Sequence, residues 1–125
     1  MPNPEFIITR RTEAAVTARS IVKPGTADFA VILAAAATDK LMGVTTEIDS
    51  DSGESCDVIR GGIAAVKLAG TVAAGDYITA NGSGLGVKCN PSTGTVAQYV
   101  GKAEVAGVSG DIIDVWVAPG QLTTP

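Results

Sequence analysis

The chain has 125 residues, of which 46% are hydrophobic and 4% aromatic, so it can form one domain with a substantial core. It contains no histidine, which excludes a Ser-His-Asp triad, a histidine general base and a histidine metal site within one chain. The net charge is −4, and an acidic body of this kind binds nucleic acid poorly.

The N-terminal segment, residues 1–23, is predicted to form an extended arm with its own charge. It carries four basic and two acidic residues, whereas the remainder carries five basic and eleven acidic. Pro2 and Pro4 favour an extended start, and residues 12–20 fit a short helix weakly capped by Thr12. A basic arm on an acidic body indicates an acidic partner, and a solvated tail is the alternative.

No signal peptide is visible at the start of the chain, because no apolar stretch of adequate length occurs there. The longest apolar run, residues 29–37, is too short to span a bilayer. We therefore expect a protein made in the cytosol that does not enter membranes.

From Ile21 onward, turn signals recur at roughly 8 to 12 residues, a spacing typical of a small sandwich or barrel. They include Pro24-Gly25, Gly61-Gly62, Gly75-Asp76, Asn81-Gly82 and Pro119-Gly120. Strand-like runs lie between them at residues 56–60, 63–68, 76–79, 85–89, 96–100 and 112–118. In the last run, Ile113, Val115 and Val117 share one face, and Asp114 and Trp116 share the other.

Two segments allow more than one interpretation. Residues 27–37 fit a helix by propensity and a buried strand by their β-branched and aromatic content, and we expect a strand that runs into a loop. The glycines at 82, 84 and 86 suggest either a phosphate-binding loop or a hairpin turn. Because Asn90-Pro91 prevents a following helix, and no Gly-Lys-Ser/Thr occurs, we predict the hairpin.

A weak internal repeat aligns residues 41–62 with residues 99–120. Gly43 then matches Gly101, and, after a gap of one residue, Cys56-Asp57-Val58 matches Ile113-Asp114-Val115. Each copy reads as strand, polar turn, strand, so the repeat predicts two related hairpins and a buried position for Cys56. We expect Cys56 and Cys89 to be buried free thiols, and a single bridge between them stays open.

No catalytic, cofactor or metal site is predicted. The acidic run EIDSDSGE at 47–54 resembles a calcium loop, but counting from Asp49 places Glu54 where the EF-hand glycine belongs. An exposed polar turn is the expected structure there. The serines Ser20, Ser83 and Ser109 have no base to activate them, and Asp111 and Asp114 lack the aromatic cleft that a glycosidase pair needs.

The order of segments resembles a known family. It comprises the arm, then VKPGTADFAVILAAAATDKLMGVTTE, then GESCDVIRGGIAAVKLAGTVAAGDYITANGSGLGVK, and then VGKAEVAGVSGDIIDVWVAPG. This pattern is similar to the small capsid decoration, or cement, proteins of tailed bacteriophages over roughly residues 20–120. Met42-Gly43-Val44, the Gly75-Asp76 turn, the Gly82–Gly86 turn and the ending from Gly110-Asp111 to Pro119-Gly120 carry the resemblance.

The resemblance implies a mainly β body, a small β-barrel or β-sandwich spanning residues 24–125, with the extended arm at 1–23. It implies a non-enzymatic structural virion protein, made in the host cytoplasm and often a homotrimer at three-fold or quasi-three-fold positions of the capsid surface. There it would bind the major capsid protein and cement neighbouring subunits, without direct contact with nucleic acid or membrane. The expected capsid contacts lie in the arm, at Phe6, Ile7, Ile8, Arg10 and Arg11.

The alternative function is a virion-surface binding module for host glycans or a receptor. Such a module would need an exposed aromatic platform, for which Trp116 and Tyr77 are the candidates. An enzyme or a biotinyl or lipoyl carrier domain is the third possibility, and it lacks a nucleophile with a base or a lysine at a hairpin tip.

Overall fold

The computed structural model of this chain describes residues 5–46, 48–91 and 93–123, which form nine β-strands and no helix. The strands are β1 Glu5–Thr12, β2 Ile21–Pro24, β3 Ala30–Leu33, β4 Gly43–Thr45, β5 Ser55–Lys67, β6 Tyr77–Ala80, β7 Gly86–Lys88, β8 Val96–Ala103 and β9 Ile112–Thr123. The predicted mainly β fold is confirmed, and the expected hairpin at the 82–86 glycines joins β6 to β7.

The first half of the chain closes into a five-stranded barrel. Neighbouring strands follow the order β1-β3-β2-β4-β5, and β5 returns to pair antiparallel with β1. The residue pairs run from Glu5 opposite Gly62 to Arg11 opposite Ser55. The sequence allowed a sandwich or a barrel, and the structure is a barrel.

The second half repeats this ring. Its strands follow the order β5-β9-β8-β6-β7, and a parallel bridge between Leu68 and Gly86 joins the end of β5 back to β7. The thirteen-residue strand β5 thus belongs to both rings. Its first half lies between β1 and β4, and its second half pairs with β9.

The two rings are copies of one unit, which we call the first unit (residues 5–60) and the second unit (residues 61–117). An isolated bridge joins Val16 to Ser50 in the first, and the equivalent bridge joins Val72 to Gly107 in the second. The Thr12 amide donates to the Glu54 carbonyl at 2.9 Å, as the Leu68 amide donates to the Asp111 carbonyl at 2.8 Å. The predicted repeat is therefore part of a longer duplication that includes every strand of the barrel.

Each unit has its own buried side chains. Val16, Val22, Val31, Cys56 and Val58 form the core of the first, and Ile8, Leu33 and Met42 pack against it. A larger cluster fills the second barrel and continues across the junction into the first unit through Ile21, Leu41, Val44 and Ile59. In β9 the predicted alternation is confirmed, because Ile113, Val115 and Val117 are buried, whereas Asp114 and Trp116 are exposed.

Three local predictions are wrong. Gly61-Gly62 lies inside β5, and Pro119-Gly120 lies inside β9, so neither is a turn. Gly62 has φ 90°, which lets β5 bend between the two barrels without reversing. No helix forms at residues 12–20, because Thr12 bonds to the 51–54 turn and Val16 to Ser50, which draws the backbone into the barrel.

Other predictions hold. Residues 30–33 form a strand that runs into a loop, and the 51–54 segment is an exposed turn in which the Glu54 carboxylate accepts the Asp51 amide at 2.6 Å. Cys56 and Cys89 are free and buried, and burial raises the pKa of both thiols. Pro2, Pro4 and Glu47 lie outside the described residues. The division predicted at residue 23 stays a prediction, and β2 crosses that position.

Gly43 and Gly101 occupy equivalent places where only a glycine fits. A Cβ on Gly43 would overlap the carbonyl oxygen of Ile59, and one on Gly101 would overlap that of Trp116. We expect Gly43→Ala and Gly101→Ala each to lower the free energy of unfolding by about 2 kcal/mol or more, because backbone must move to relieve the overlap. Urea unfolding followed by circular dichroism measures this.

The matched control is Gly82→Ala. A Cβ at Gly82 meets nothing within 4 Å, and its φ is not in the left-handed region, so its free energy of unfolding should change by less than about 0.5 kcal/mol. Equal losses in all three variants would contradict the role assigned to close backbone approach at Gly43 and Gly101.

Candidate functional site

The five residues predicted to contact a capsid lie on β1, which is the N-terminal strand of the first barrel. One edge of β1 is hydrogen-bonded to β5 along its length, whereas pairing with β3 is limited to Arg11 and Thr12. The rest of that second edge, across residues 5–10, faces no strand within the described part of the chain. A short length of strand edge is therefore open to a partner strand.

The side chains on β1 divide into exposed and core-facing positions. Phe6 is 64% exposed and Ile7 44% exposed, and Arg11 also lies at the surface. Ile8 is half-buried and packs against the core of the first unit, so it is better placed to hold β1 in position than to contact a partner. The structure thus brings Phe6, Ile7 and Arg11 to the surface and sets Ile8 apart from them.

Phe29 extends this surface, and sequence reasoning did not identify it. It is 75% exposed and has φ 62°, a left-handed conformation that is rare for a residue with a bulky side chain. Its ring lies 5.3 Å from the Arg10 guanidinium, and its carbonyl accepts the Arg11 amide at 3.2 Å. We call Phe6, Ile7, Arg10, Arg11 and Phe29 the β1 surface, which combines two aromatic rings with two cations.

Glu13 holds the turn that carries Phe29. Its carboxylate accepts the Thr26 amide and the Ala27 amide, both at 2.8 Å, and the Thr26 hydroxyl at 3.0 Å. These hydrogen bonds hold the pKa of Glu13 below its usual value of 4.5, and the bond from the Thr26 amide has the largest effect. Gly25 leaves room for the carboxylate, because a Cβ there would overlap it.

A second group of side chains lies on the exposed face of the second unit. Trp116 on β9 is opposite Lys102 on β8, and Lys102 is opposite Tyr77 on β6. The Tyr77 and Tyr99 ring centroids are 4.4 Å apart with the rings tilted by 42°, and the Lys102 ammonium lies 5.1 Å from the Tyr77 ring. These residues surround a cavity of about 110 Å³, completed by Gly101 and Ala118.

The junction between the units holds a wider depression of about 580 Å³. Arg19, Lys67 and Asp49 contribute charged groups to it, and Leu33, Leu85 and Ile112 contribute apolar surface. The Asp49 carboxylate accepts the Ala18 amide at 2.7 Å, so it orders the loop beside the depression. This arrangement explains how the loop is held, and it suggests no particular reaction.

Within residues 5–46, 48–91 and 93–123, no three acidic or thiol side chains are grouped closely enough to hold a metal ion. Across the same residues, no helix has the length and hydrophobicity needed to cross a membrane.

The hydrogen bonds from Thr26 and Ala27 to the Glu13 carboxylate lead to a pH-dependent prediction. A depressed carboxyl pKa stabilises the folded state above the unfolded pKa, and that contribution is lost as pH falls through the folded pKa. We expect Glu13→Gln to be less stable than the parent at pH 7, with the difference shrinking below about pH 4.5. Urea unfolding between pH 7 and pH 3 measures the difference, and hydrogen exchange at Thr26 and Ala27 should accelerate in the variant.

Glu104→Gln is the control, because Glu104 is an exposed carboxylate on the opposite unit. Its stability relative to the parent should stay constant over this pH range. A Glu13→Gln variant whose deficit is the same at pH 7 and pH 3 would show that the carboxylate charge does not hold the turn.

Comparison with known proteins gives a structural similarity that bears on the fold. No protein-family model matches the sequence, and no curated protein matches it. Among solved structures, the chain is similar to the N base of head fiber gp8.5 of bacteriophage phi29, with a TM-score of 0.67 and 18% sequence identity. The match covers 92% of this chain and 95% of the phage chain, so the two proteins share the fold over nearly their whole length.

Proposed function

We propose that this chain is a structural protein of a bacteriophage head, and not an enzyme. The observation that carries the proposal is the shared fold with the N base of a phage head fiber, which extends over 92% of the chain. At 18% identity that likeness establishes the fold, and the step to function is ours. The sequence pattern over residues 20–120, which resembles phage capsid decoration proteins, agrees with this step, although no family model matches the chain.

The finer proposal is that the protein binds the outer surface of the capsid and cements neighbouring major capsid subunits as a homotrimer. The β1 surface supports this, because an open strand edge can add a strand from a partner. Arg10 and Arg11 provide positive charge beside that edge on a chain whose net charge is −4. A capsid segment with carboxylates beside an extended stretch would complement it.

The two-barrel body is also compatible with binding at the repeated sites of a capsid. A capsid presents many identical sites, so modest affinity at each contact becomes large avidity when several subunits are bridged. Two barrels that share a strand form a rigid body between those contacts. We propose that its location is the virion, at the capsid surface, after synthesis in the host cytoplasm.

The test is binding to heads of the parent phage assembled without this chain. Deleting residues 1–22 would remove β1 and open the first barrel, so surface substitutions are the better probe. We expect the parent protein to co-sediment saturably and to raise the temperature of DNA release. Phe6→Asp and Arg11→Glu should each weaken head binding by about tenfold or more, while the thermal midpoint of the free protein stays nearly unchanged.

Val108→Asp is the matched control, since Val108 is 54% exposed and lies in a turn of the second unit away from β1. It should bind heads like the parent. Equal binding by all variants would remove β1 from the interface. Failure of the parent to bind any head would contradict the proposed function, and sedimentation equilibrium of the free protein would separately decide whether it is a trimer.

A further inference from the structure

The duplication allows the same surface to be compared in two environments. In the first unit, Ile59, Val44 and Ile21 are directly opposite one another across β5, β4 and β2. In the second unit, the equivalent row across β9, β8 and β6 is Trp116, Lys102 and Tyr77. One surface therefore carries three aliphatic side chains in one copy, and two aromatic rings with a cation in the other.

The two rows differ in what covers them. The aliphatic row is buried, with Val44 and Ile21 at 0% exposure, in the cluster that joins the two units. The Ile21 amide donates to the Gly84 carbonyl at 2.7 Å, which shows that an element of the second unit lies against it. In the second unit, Trp116 is 54% exposed. Where a protein element covers the row it is aliphatic, and where the row is open it is aromatic.

Neighbouring positions follow the same rule. Leu41, next to the aliphatic row, corresponds to Tyr99, whose ring packs against Tyr77 with the centroids 4.4 Å apart and the planes tilted by 42°. Tyr99 lies over Gly120 on β9, where a Cβ would come within 2.7 Å of its hydroxyl oxygen. Three of the five aromatic residues of the chain thus converge on one cavity of about 110 Å³. We call Tyr77, Tyr99, Lys102 and Trp116 the aromatic pocket.

We propose that the aromatic pocket binds a saccharide, by packing one pyranose ring against the exposed Trp116 indole beside Lys102, while Tyr77 and Tyr99 hold Lys102 in place. The C–H groups on one face of a pyranose carry partial positive charge and pack favourably on the negative face of an aromatic ring. The Lys102 ammonium, held over the Tyr77 ring, is placed at the cavity to donate hydrogen bonds to sugar oxygens. The tyrosine hydroxyls add further polar partners to an otherwise apolar site.

The size of the pocket favours a sugar over a protein partner. Six residues line the cavity, whereas a stable protein interface takes about 20–30 residues on each side. A cavity of about 110 Å³ is smaller than the roughly 300–1,000 Å³ of a typical small-molecule site, so it would take one edge of a single sugar unit while the ring lies against Trp116 at the surface. None of the six described residues that line the cavity carries a carboxylate, so neutral and acidic sugars can both enter it.

This binding activity is separate from capsid attachment, because the pocket lies on the second unit and the β1 surface on the first. A single sugar would bind weakly, with a Kd on the order of 1 mM for a ligand of this size. Many copies on one particle would raise the effective affinity for a glycan-coated surface. Sugar binding can be measured on the isolated protein, so its failure and the failure of capsid binding are distinguishable.

Trp116 provides the signal for the test, because it is the one tryptophan in the chain. The full-length protein is titrated to 50 mM with glucose, galactose, N-acetylglucosamine and glucuronic acid, and followed by tryptophan fluorescence and by NMR. We expect at least one sugar to shift the fluorescence saturably, with a midpoint in the low millimolar range, roughly 1–10 mM. The NMR shifts should be confined to β6, β8 and β9.

Substitutions in the pocket distinguish a loss of ring contact with the sugar from a loss of the folded structure. Trp116→Ala and Tyr77→Ala should each weaken sugar binding by about tenfold or more, measured by NMR, while Trp116→Phe should retain it within about threefold because a ring remains. Ile48→Ala, at a position 67% exposed on the first unit, should bind like the parent. Trp116 and Ile48 are exposed and Tyr77 is half-buried, so the thermal midpoint of each variant is measured to show that it folds.

Three results would overturn the proposal. One is the absence of any shift with all four sugars at 50 mM. Another is unchanged sugar binding in Trp116→Ala and Tyr77→Ala. The third is self-association of the parent protein in sedimentation equilibrium that Trp116→Ala abolishes, since the pocket would then be covered by a second copy of the chain.

Discussion

The structure depends on β5, because that single strand completes both barrels. Its first half pairs with β1 and β4, and its second half pairs with β9 and, through Leu68, reaches β7. Hydrogen bonding along one continuous strand fixes the orientation of one unit relative to the other. The positive φ at Gly62 lets the strand change direction where the units meet. The β1 surface and the aromatic pocket therefore lie on different units that are joined by one continuous strand.

Several features could be read from the sequence because local chemistry determines them. Alternation in β9 places Val115 inside and Trp116 outside, and the glycines at 82–86 form the β6–β7 hairpin. The hairpin repeat was visible through Gly43 and Gly101, which both lie where a Cβ would overlap a carbonyl oxygen. The full duplication could not be seen in the sequence, because the first strands of the two units, β1 and the second half of β5, have few residues in common. Thr12 takes the place of Leu68, and it satisfies its buried hydroxyl with the Asp51 carbonyl.

What the sequence could not provide was long-range pairing. Gly61-Gly62 and Pro119-Gly120 have turn composition, yet strand neighbours on either side keep both within strands. Of the five contacts predicted on β1, Phe6, Ile7 and Arg11 are exposed and Ile8 and Arg10 are half-buried, and only the fold shows that Phe29 lies beside Arg10. Tyr77 and Trp116 were candidates for an aromatic platform. Tyr99 and Lys102 join them because of strand register, which is not a local property.

A shared strand also has a consequence for how the chain folds as it leaves the ribosome. The first barrel cannot close until β5 is available to pair with β1, and the partner of the second half of β5, β9, lies at the end of the described chain. Non-local strand pairing of this kind is slow compared with local helix formation. A nascent chain that ends before Ile112 would expose an unpaired apolar edge from Ile63 to Val66. We therefore expect truncated products that end before Ile112 to aggregate.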